Sequence, residues 1–182
     1  MTRVLGIDPG YASVGWAVMD LAPLAVVDVG LIRTERSAKK LRILVSDDNM
    51  NRARHVARLL LALVNAHRPI AICTEGPAGS QSYGAAFAAG AGTALVGSLA
   101  VFADIPVCQV SQQELKVRVA GARDASKEAI AAAIAKRFPE AALLIRQRFP
   151  AKDKQEHPFD AIGCVLACLD SDVLQMARKV AA

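Results

Sequence analysis

The sequence is poor in aromatic residues. They make up 4% of the 182 residues, whereas 53% of the residues are hydrophobic. We therefore expect a core of closely packed aliphatic and small side chains rather than bulky rings. This apolar content excludes disorder over most of the chain. The length suits one domain, and we predict a single domain over residues 1–182.

Cysteine is scarce, and no two cysteines form a C-x-x-C pair. The four cysteines are Cys73, Cys108, Cys164 and Cys168, and no secretory signal precedes the first predicted strand. Cys164 and Cys168 lie one helical turn apart, a spacing that could ligate a metal, but buried thiols that pack as small apolar groups explain them better. We therefore expect a reducing, cytoplasmic compartment.

Charge is absent from one long segment. Tyr83 to Ala103 contains no charged residue and is long enough to span a bilayer. The segment consists mainly of Ala, Gly, Ser and Thr, whose transfer into lipid gains little free energy. We expect a helix that is buried in the domain or at a subunit contact, and no membrane attachment.

The formal net charge is +5, which is informative only where the charge is concentrated near a site. Two local clusters of basic residues could meet a phosphate backbone, and a pair of solvated loops explains them equally well. The clusters are Arg33, Arg36, Lys39, Lys40 and Arg42, and Arg146, Arg148, Lys152 and Lys154.

Apolar periodicity predicts an α/β fold with a mixed sheet. We predict strands at Arg3–Asp8, Ser13–Asp20, Leu24–Arg33, Ile70–Glu75 and Ile105–Val110, of which the first three form an antiparallel meander. We predict helices from Asp47 or Asp48 to about Asn65, over Tyr83–Ala103, from Ser111 to Val119, from Ser126 to about Phe138 and from Phe159 to about Val180. Loops should cover 35–46 and 76–82, residues 139–157 should mix helix and loop, and Pro158 suits the first turn of the last helix.

Three carboxylates stand at the predicted element boundaries. Asp8 ends the first strand and Glu75 the fourth. Asp160 begins the last helix, and His157 lies three residues earlier, on the same side of a first turn. Taken singly, these residues have ordinary explanations: a turn cap, a solvent-facing strand end, stabilisation of a helix N-terminus, or an exposed His.

As a set, these side chains suit hard divalent cations such as Mg²⁺ or Mn²⁺. Two such ions about 4 Å apart could activate water on one side of a phosphate and stabilise the leaving oxygen on the other. The set therefore predicts metal-dependent hydrolysis of a phosphodiester bond.

The ordered motifs resemble the RuvC family of Holliday-junction resolvases. The resemblance covers nearly the whole chain, and the ordered set is far more specific than a lone G-I-D-P-G. The matching segments are Leu5 to Gly10, Gly15, Gly30 to Thr34, Thr74-Glu75, Ile105 to Val107, Leu115 to Val117, Gly121, Ser126-Lys127 and Asp160-Ala161, with His157 three residues before the last acid.

This resemblance implies an RNase H-like fold, with a five-stranded mixed sheet flanked by helices. It also implies a homodimer that cuts a four-way DNA junction at two symmetric positions. Asp8 would bridge two metal ions, Glu75 would hold one, and His157 with Asp160 the other.

The resemblance also implies basic residues near the DNA. Lys116 and Lys127 match such positions, and Lys127 would take part in catalysis by neutralising charge in the transition state. Tyr83 and Arg123 are further candidate DNA contacts. A branch-migration helicase is a partner by resemblance only.

Two positions depart from the family pattern. The family commonly has an amide and a bulky apolar residue shortly after the fourth-strand acid, where this chain has small residues up to Tyr83. Tyr83 or Phe87 could stack on a base instead, or could belong to the core or a helix start. Tyr11 follows the first turn, where the family has small or polar residues, and could touch DNA or pack on the loop.

Three other functions fit parts of the pattern. An ATPase of the actin or sugar-kinase type also has an Asp in its first strand, as Asp8 is here. Such an enzyme needs a second lobe to enclose the nucleotide, and this chain is too short for one. A non-catalytic DNA-binding protein of the same fold would be expected to lose ligands, and none is lost here. A nuclease for branched DNA generally, or for RNA–DNA hybrids, is poorly separated from a strict resolvase.

Overall fold

The computed structural model describes residues 2–77, 79 and 82–180. Within them the chain forms a five-stranded sheet of order β3-β2-β1-β4-β5. β1 to β3 form the predicted antiparallel meander, and β4 and β5 run parallel to β1. The predicted α/β fold with a mixed sheet is confirmed. The strands are β1 Arg3–Asp8, β2 Ser13–Leu21, β3 Leu24–Arg33, β4 Ile72–Glu75 and β5 Val107–Val110.

The described residues also form helices on both faces of the sheet. Ser111 and Ser126 cap two of these helices as predicted, because each hydroxyl accepts a hydrogen bond from the backbone N–H three residues later. The helices are α1 Val45–His67, α2 Tyr83–Ala103, α3 Gln112–Ala120, α4 Lys127–Arg137, α5 Pro139–Arg148, α6 Lys152–Cys168 and α7 Asp172–Val180.

Each face of the sheet buries a core of its own, because alternate strand residues point to opposite faces. In β1, Val4 packs into the core shared with α3 to α7. Its neighbours Leu5 and Ile7 pack into the core shared with α1 and α2. α6 lies centrally on the first face and contacts every strand of the sheet.

Two glycines bring α6 close to the sheet. A side-chain carbon added at Gly6 would collide with the carbonyl oxygen of Ala161, and one added at Gly15 would collide with that of His157. Because neither strand carries a side chain at these points, the backbone of α6 approaches β1 and β2 directly.

The predicted last helix was wrong at both ends. α6 begins at Lys152, so Pro158 lies inside it, and it ends at Cys168 before a separate α7. The turns before Pro158 are held by tertiary contacts. The Gln155 side-chain amide donates to the Phe149 carbonyl oxygen at 2.8 Å, and Glu156 pairs with Lys127. These contacts stabilise helix where the local rule for proline predicted a start.

α1 begins at Val45 rather than at a capping Asp, so the prediction that Asp47 or Asp48 caps it was wrong. The Asp48 carboxylate instead accepts hydrogen bonds from the backbone N–H and the hydroxyl of Ser37, at 3.0 and 2.6 Å. It therefore ties the preceding loop to the helix.

α2 has the predicted bounds but is mostly exposed. Its buried residues are Gly92, Val96, Leu99 and Ala100, and 22% of its most apolar 18-residue window is buried. The expectation that it is buried within the domain was therefore wrong. Its length and composition alone would let it cross a membrane, which is weak evidence, since core helices pass the same test.

Candidate active site

The candidate site lies at one edge of the sheet, where strands β1 and β4 end. These strands are parallel, with Ile7 opposite Thr74 in register, so Asp8 and Glu75 follow at neighbouring positions. Both carboxylates are partly buried. The apolar residues before each acid fix the strands in the core, and the acids themselves reach the edge.

α6 adds two more side chains to this edge. The backbone of His157 contacts β2 at Gly15, which places its imidazole beside the end of β1. The His157 Nδ1 atom lies 2.6 Å from Asp8 Oδ2. Because a carboxylate only accepts hydrogen bonds, Nδ1 donates in this contact.

Asp160 lies three residues after His157 on the same helix and joins the set electrostatically. Burial raises the pKa of Asp160 to about 7, and the negative charge of Asp8 adds to this rise. The pKa of Glu75 is also raised, first by burial and then by Asp8. The structure therefore brings together the four residues that the sequence singled out as metal ligands.

The donor set fits a divalent cation. Asp8, Glu75 and Asp160 are partly buried and form a negative pocket, and the negative charge of Asp8 raises the pKa of the other two, so a cation would relieve their repulsion. Within the described part of the chain, no three His, Cys, Asp or Glu side chains are already close enough to ligate one ion. The carboxylates lie near enough to affect one another's charge, but they would have to move closer together to bind a metal.

Lys127 lies at the mouth of this pocket, as the first residue of α4. Its positive charge lowers the pKa of both Asp160 and Glu75, and its ammonium pairs with Glu156. Lys127, Glu156 and Asp160 line one cavity of about 320 Å³. Lys116 acts on Glu75 in the same sense. Both lysines therefore lie near enough to the carboxylates to offset part of their negative charge.

Other candidate residues lie elsewhere. Arg123 lines a separate cavity with Ser111 and Arg118, and no contact connects it to the carboxylates. Tyr83 is the first residue of α2 and is 87% exposed. The loop predicted over 76–82 falls partly outside the described residues.

Tyr11 packs on the loop, which settles the choice between packing and an exposed DNA contact. It is 6% exposed, and its hydroxyl donates to the carbonyl oxygen of Asn49. The Arg52 guanidinium lies 4.5 Å from the ring centre, and Phe87 meets the ring edge-on. Phe87 therefore also has a packing role, and Arg52 packs against the Tyr11 ring.

The second basic cluster is divided between two roles. Arg146 and Lys152 line the cavity beside Asp160. Arg148 instead pairs with Asp28 at 2.7 Å and binds the Val29 carbonyl oxygen, so it fastens α5 to β3. All four cysteines are buried and free, as expected of thiols that pack as apolar groups.

Glu156 is the site residue that the sequence did not reveal. It lies one helical turn before Asp160, and this i,i+4 spacing would have placed it on the same face. That signal was hidden because residues up to 157 were predicted as a mixture of helix and loop.

Comparisons with known proteins agree on one family. A family model described as crossover junction endodeoxyribonuclease RuvC matches residues 4–148. A protein of that name from Salinibacter ruber is 28% identical over 127 residues, which cover 70% of this chain and 67% of that protein.

Two solved structures show the same fold. The structure of Thermus thermophilus RuvC in complex with a Holliday junction substrate has a TM-score of 0.63 at 20% identity and covers 92% of each chain. The yeast mitochondrial Holliday junction resolvase Ydc2 has a TM-score of 0.65 at 12% identity, over 98% of this chain and 81% of that one. The predicted RNase H-like fold is confirmed.

Proposed function

This chain belongs to the crossover junction endodeoxyribonuclease RuvC family, and from that premise we propose that it cuts four-way DNA junctions at the pocket of Asp8, Glu75, His157 and Asp160. As a family member it is a nuclease that resolves Holliday junctions. The observation that carries the proposed site is the meeting of Asp8 and Glu75 at one sheet edge with the His157 imidazole 2.6 Å from Asp8, where burial and Asp8 raise the pKa of Glu75 and Asp160.

Asp8, Glu75, His157 and Asp160 would hold the metal. Asp8 lies between the other groups: it contacts His157 and acts electrostatically on Glu75 and Asp160. Together with Glu75, His157 and Asp160, it would hold the divalent ions at this sheet edge. Bound Mg²⁺ or Mn²⁺ would supply Lewis acidity and lower the pKa of water.

The chain's own residues prepare this chemistry. The strand ends and α6 bring the carboxylates to one sheet edge before substrate arrives, and a bound metal would draw them closer together. Lys127 and Lys116 face the same pocket and offset the negative charge of a phosphate beside it. Glu156 holds the ammonium of Lys127 at the mouth of the pocket.

A homodimer would use the exposed face of α2. This face carries no charge along 21 residues and presents small side chains at helical spacing, at Gly90, Ala94 and Gly97. Small residues let two helices approach closely. A two-fold dimer would present two equivalent pockets to the two-fold geometry of a junction. Burial at this contact would also account for an apolar helix that the single chain leaves exposed.

Tyr83 is the candidate for stacking on a junction base. It is 87% exposed at the start of α2, whereas Phe87 is engaged with Tyr11. An exposed ring next to the loop that follows Glu75 is placed to meet an unpaired base. We further propose a cytoplasmic setting, which rests on the four free cysteines, and a helicase partner, which rests on the resemblance alone.

The test is cleavage of labelled four-way junctions by the purified protein, compared with forks, flaps, duplexes and RNA–DNA hybrids, each with Mg²⁺, with Mn²⁺ and without divalent metal. We expect paired, symmetric cuts in junctions and metal dependence. Equal cutting of forks and flaps would indicate a broader branched-DNA nuclease. Junction binding without cleavage in either metal would overturn the nuclease assignment. Nucleotide binding would instead support an ATPase of the actin or sugar-kinase type.

A further inference from the structure

Residues 33–44, here called the basic loop, carry most of the excess positive charge of the chain. The whole sequence has 22 basic and 17 acidic residues, of which five basic and one acidic residue lie in this segment. The rest of the chain is therefore nearly neutral, and the net charge of +5 is a property of one place. Its basic residues are Arg33, Arg36, Lys39, Lys40 and Arg42.

The basic loop leaves the sheet at the edge that holds the candidate site. β3 and β1 are both antiparallel to β2, so β3 ends at the same edge as Asp8. The Thr34 N–H donates to the Ala12 carbonyl oxygen, and the Thr34 hydroxyl donates to the Tyr11 carbonyl oxygen, each at 2.9 Å. The loop therefore starts against the turn that follows Asp8.

The basic loop is anchored, but its cations are not paired. Ser37 is bound to Asp48 through both its N–H and its hydroxyl, and Arg52 donates to the Thr34 hydroxyl at 2.9 Å. All five cations of the loop are exposed. Across residues 2–77, 79 and 82–180, none of them lies within ion-pair distance of a carboxylate. Because the loop is anchored, less conformational entropy is lost when it binds a ligand. Because its cations are unpaired, a polyanion does not have to displace a carboxylate of the protein.

We propose that the basic loop binds the phosphate backbone of one duplex arm of the junction, outside the cutting pocket. This inference rests on the proposed function. Duplex DNA presents a negative charge about every 1.7 Å of its axis, which matches a run of exposed cations. Leu41 and Leu44 are 58% and 67% exposed beside these cations, where aliphatic groups can contact sugars or the minor groove.

The first test measures the salt dependence of junction binding, without divalent metal, for Lys39→Gln/Lys40→Gln. The matched control is Lys136→Gln/Lys179→Gln, which removes the same charge from exposed positions on α4 and α7. Because each phosphate contact contributes about 0.9 to the slope of log K against log salt, we expect the slope to become shallower by about 1 to 2 in the loop variant only. Equal slopes for the two pairs would overturn the proposal.

A second test varies the length of the DNA arms. We expect the unsubstituted protein to bind junctions with arms longer than one helical turn (about 10 base pairs) more tightly than junctions with arms of half a turn. The loop variant should lose most of this difference. If it responds to arm length as strongly as the unsubstituted protein, the loop does not hold a duplex arm. Failure of the unsubstituted protein to cut any junction would contradict the nuclease assignment alone, because both binding tests are independent of cleavage.

Discussion

Residues 158–168 of α6 and the whole of α2 are mainly apolar helical segments beside the sheet. The segment of α6 is enclosed, whereas α2 is open to solvent. From Pro158 to Cys168, every residue of α6 except Asp160 is buried, whereas α2 buries four of its 21 residues. The enclosed helix carries His157 and Asp160, whose placement needs rigidity. The open helix carries no candidate metal ligand. The enclosed helix thus contributes to the proposed metal site, and the open helix is the proposed subunit contact.

The largest expected effect is on the chemistry of the enclosed side. Asp8→Asn, Glu75→Gln and Asp160→Asn should each reduce junction cleavage by about 1,000-fold or more, since residues that act as a unit in catalysis fail together. Junction binding measured by gel shift should be largely spared, because it depends on basic surface. A variant that still cuts would remove its residue from the proposed metal site. His157→Asp should retain part of the activity, since a carboxylate can replace an imidazole on Mg²⁺.

The open side should respond in assembly. Ala94→Glu places a charge on the exposed small-residue face of α2, where helix propensity is not lost. We expect the dimer dissociation constant to rise by roughly 100-fold, measured by analytical ultracentrifugation, because an unpaired charge would be buried at the contact. Met176→Glu, at a 65% exposed position on α7, is the matched control and should not change it. An unaltered Ala94→Glu dimer would place the subunit contact elsewhere.

The close approach of α6 to the sheet predicts a stability effect. In Gly6→Ala the new methyl group meets the Ala161 carbonyl oxygen, so α6 must shift. Such overpacking costs about 1–3 kcal/mol, and Tm should fall by roughly 2–12 °C in thermal unfolding. Gly84→Ala, on the open helix where a side-chain carbon meets nothing within 4 Å, should leave Tm unchanged or raise it. The reverse order would contradict the contrast between the two helices.

The smallest effect concerns pH. The pKa of Asp160 rises from 3.8 to about 7 on folding, so the folded state binds this proton more tightly than the unfolded state. The metal-free protein therefore loses stability as pH rises from about 4 through about 7. Asp160→Asn cannot ionise and should raise Tm by about 4 °C at pH 8, with a smaller gain at pH 5. Equal gains at both pH values would show that Asp160 is not the titrating group.

Much of the fold and the candidate site followed from local pattern. β1 and β3 have the bounds that alternation predicted, because strand pairing and burial obey the same period of two. Asp8 and Glu75 were found because each ends an apolar run. Parallel strands that end at one edge bring such residues together without further information. Lys127 was found through motif resemblance, which already encodes the family's tertiary contacts.

What the sequence determined by itself was the set of elements, the acids at their ends and the concentration of charge in residues 33–44. The tertiary structure decided which apolar helix is enclosed, where α6 begins, and that Glu156 meets Lys127. Composition alone does not show whether an apolar helical segment is enclosed, since burial depends on what packs against it. Contacts between residues distant in the chain, such as Glu156 with Lys127 ahead of Pro158, outweigh a local preference of a few kcal/mol.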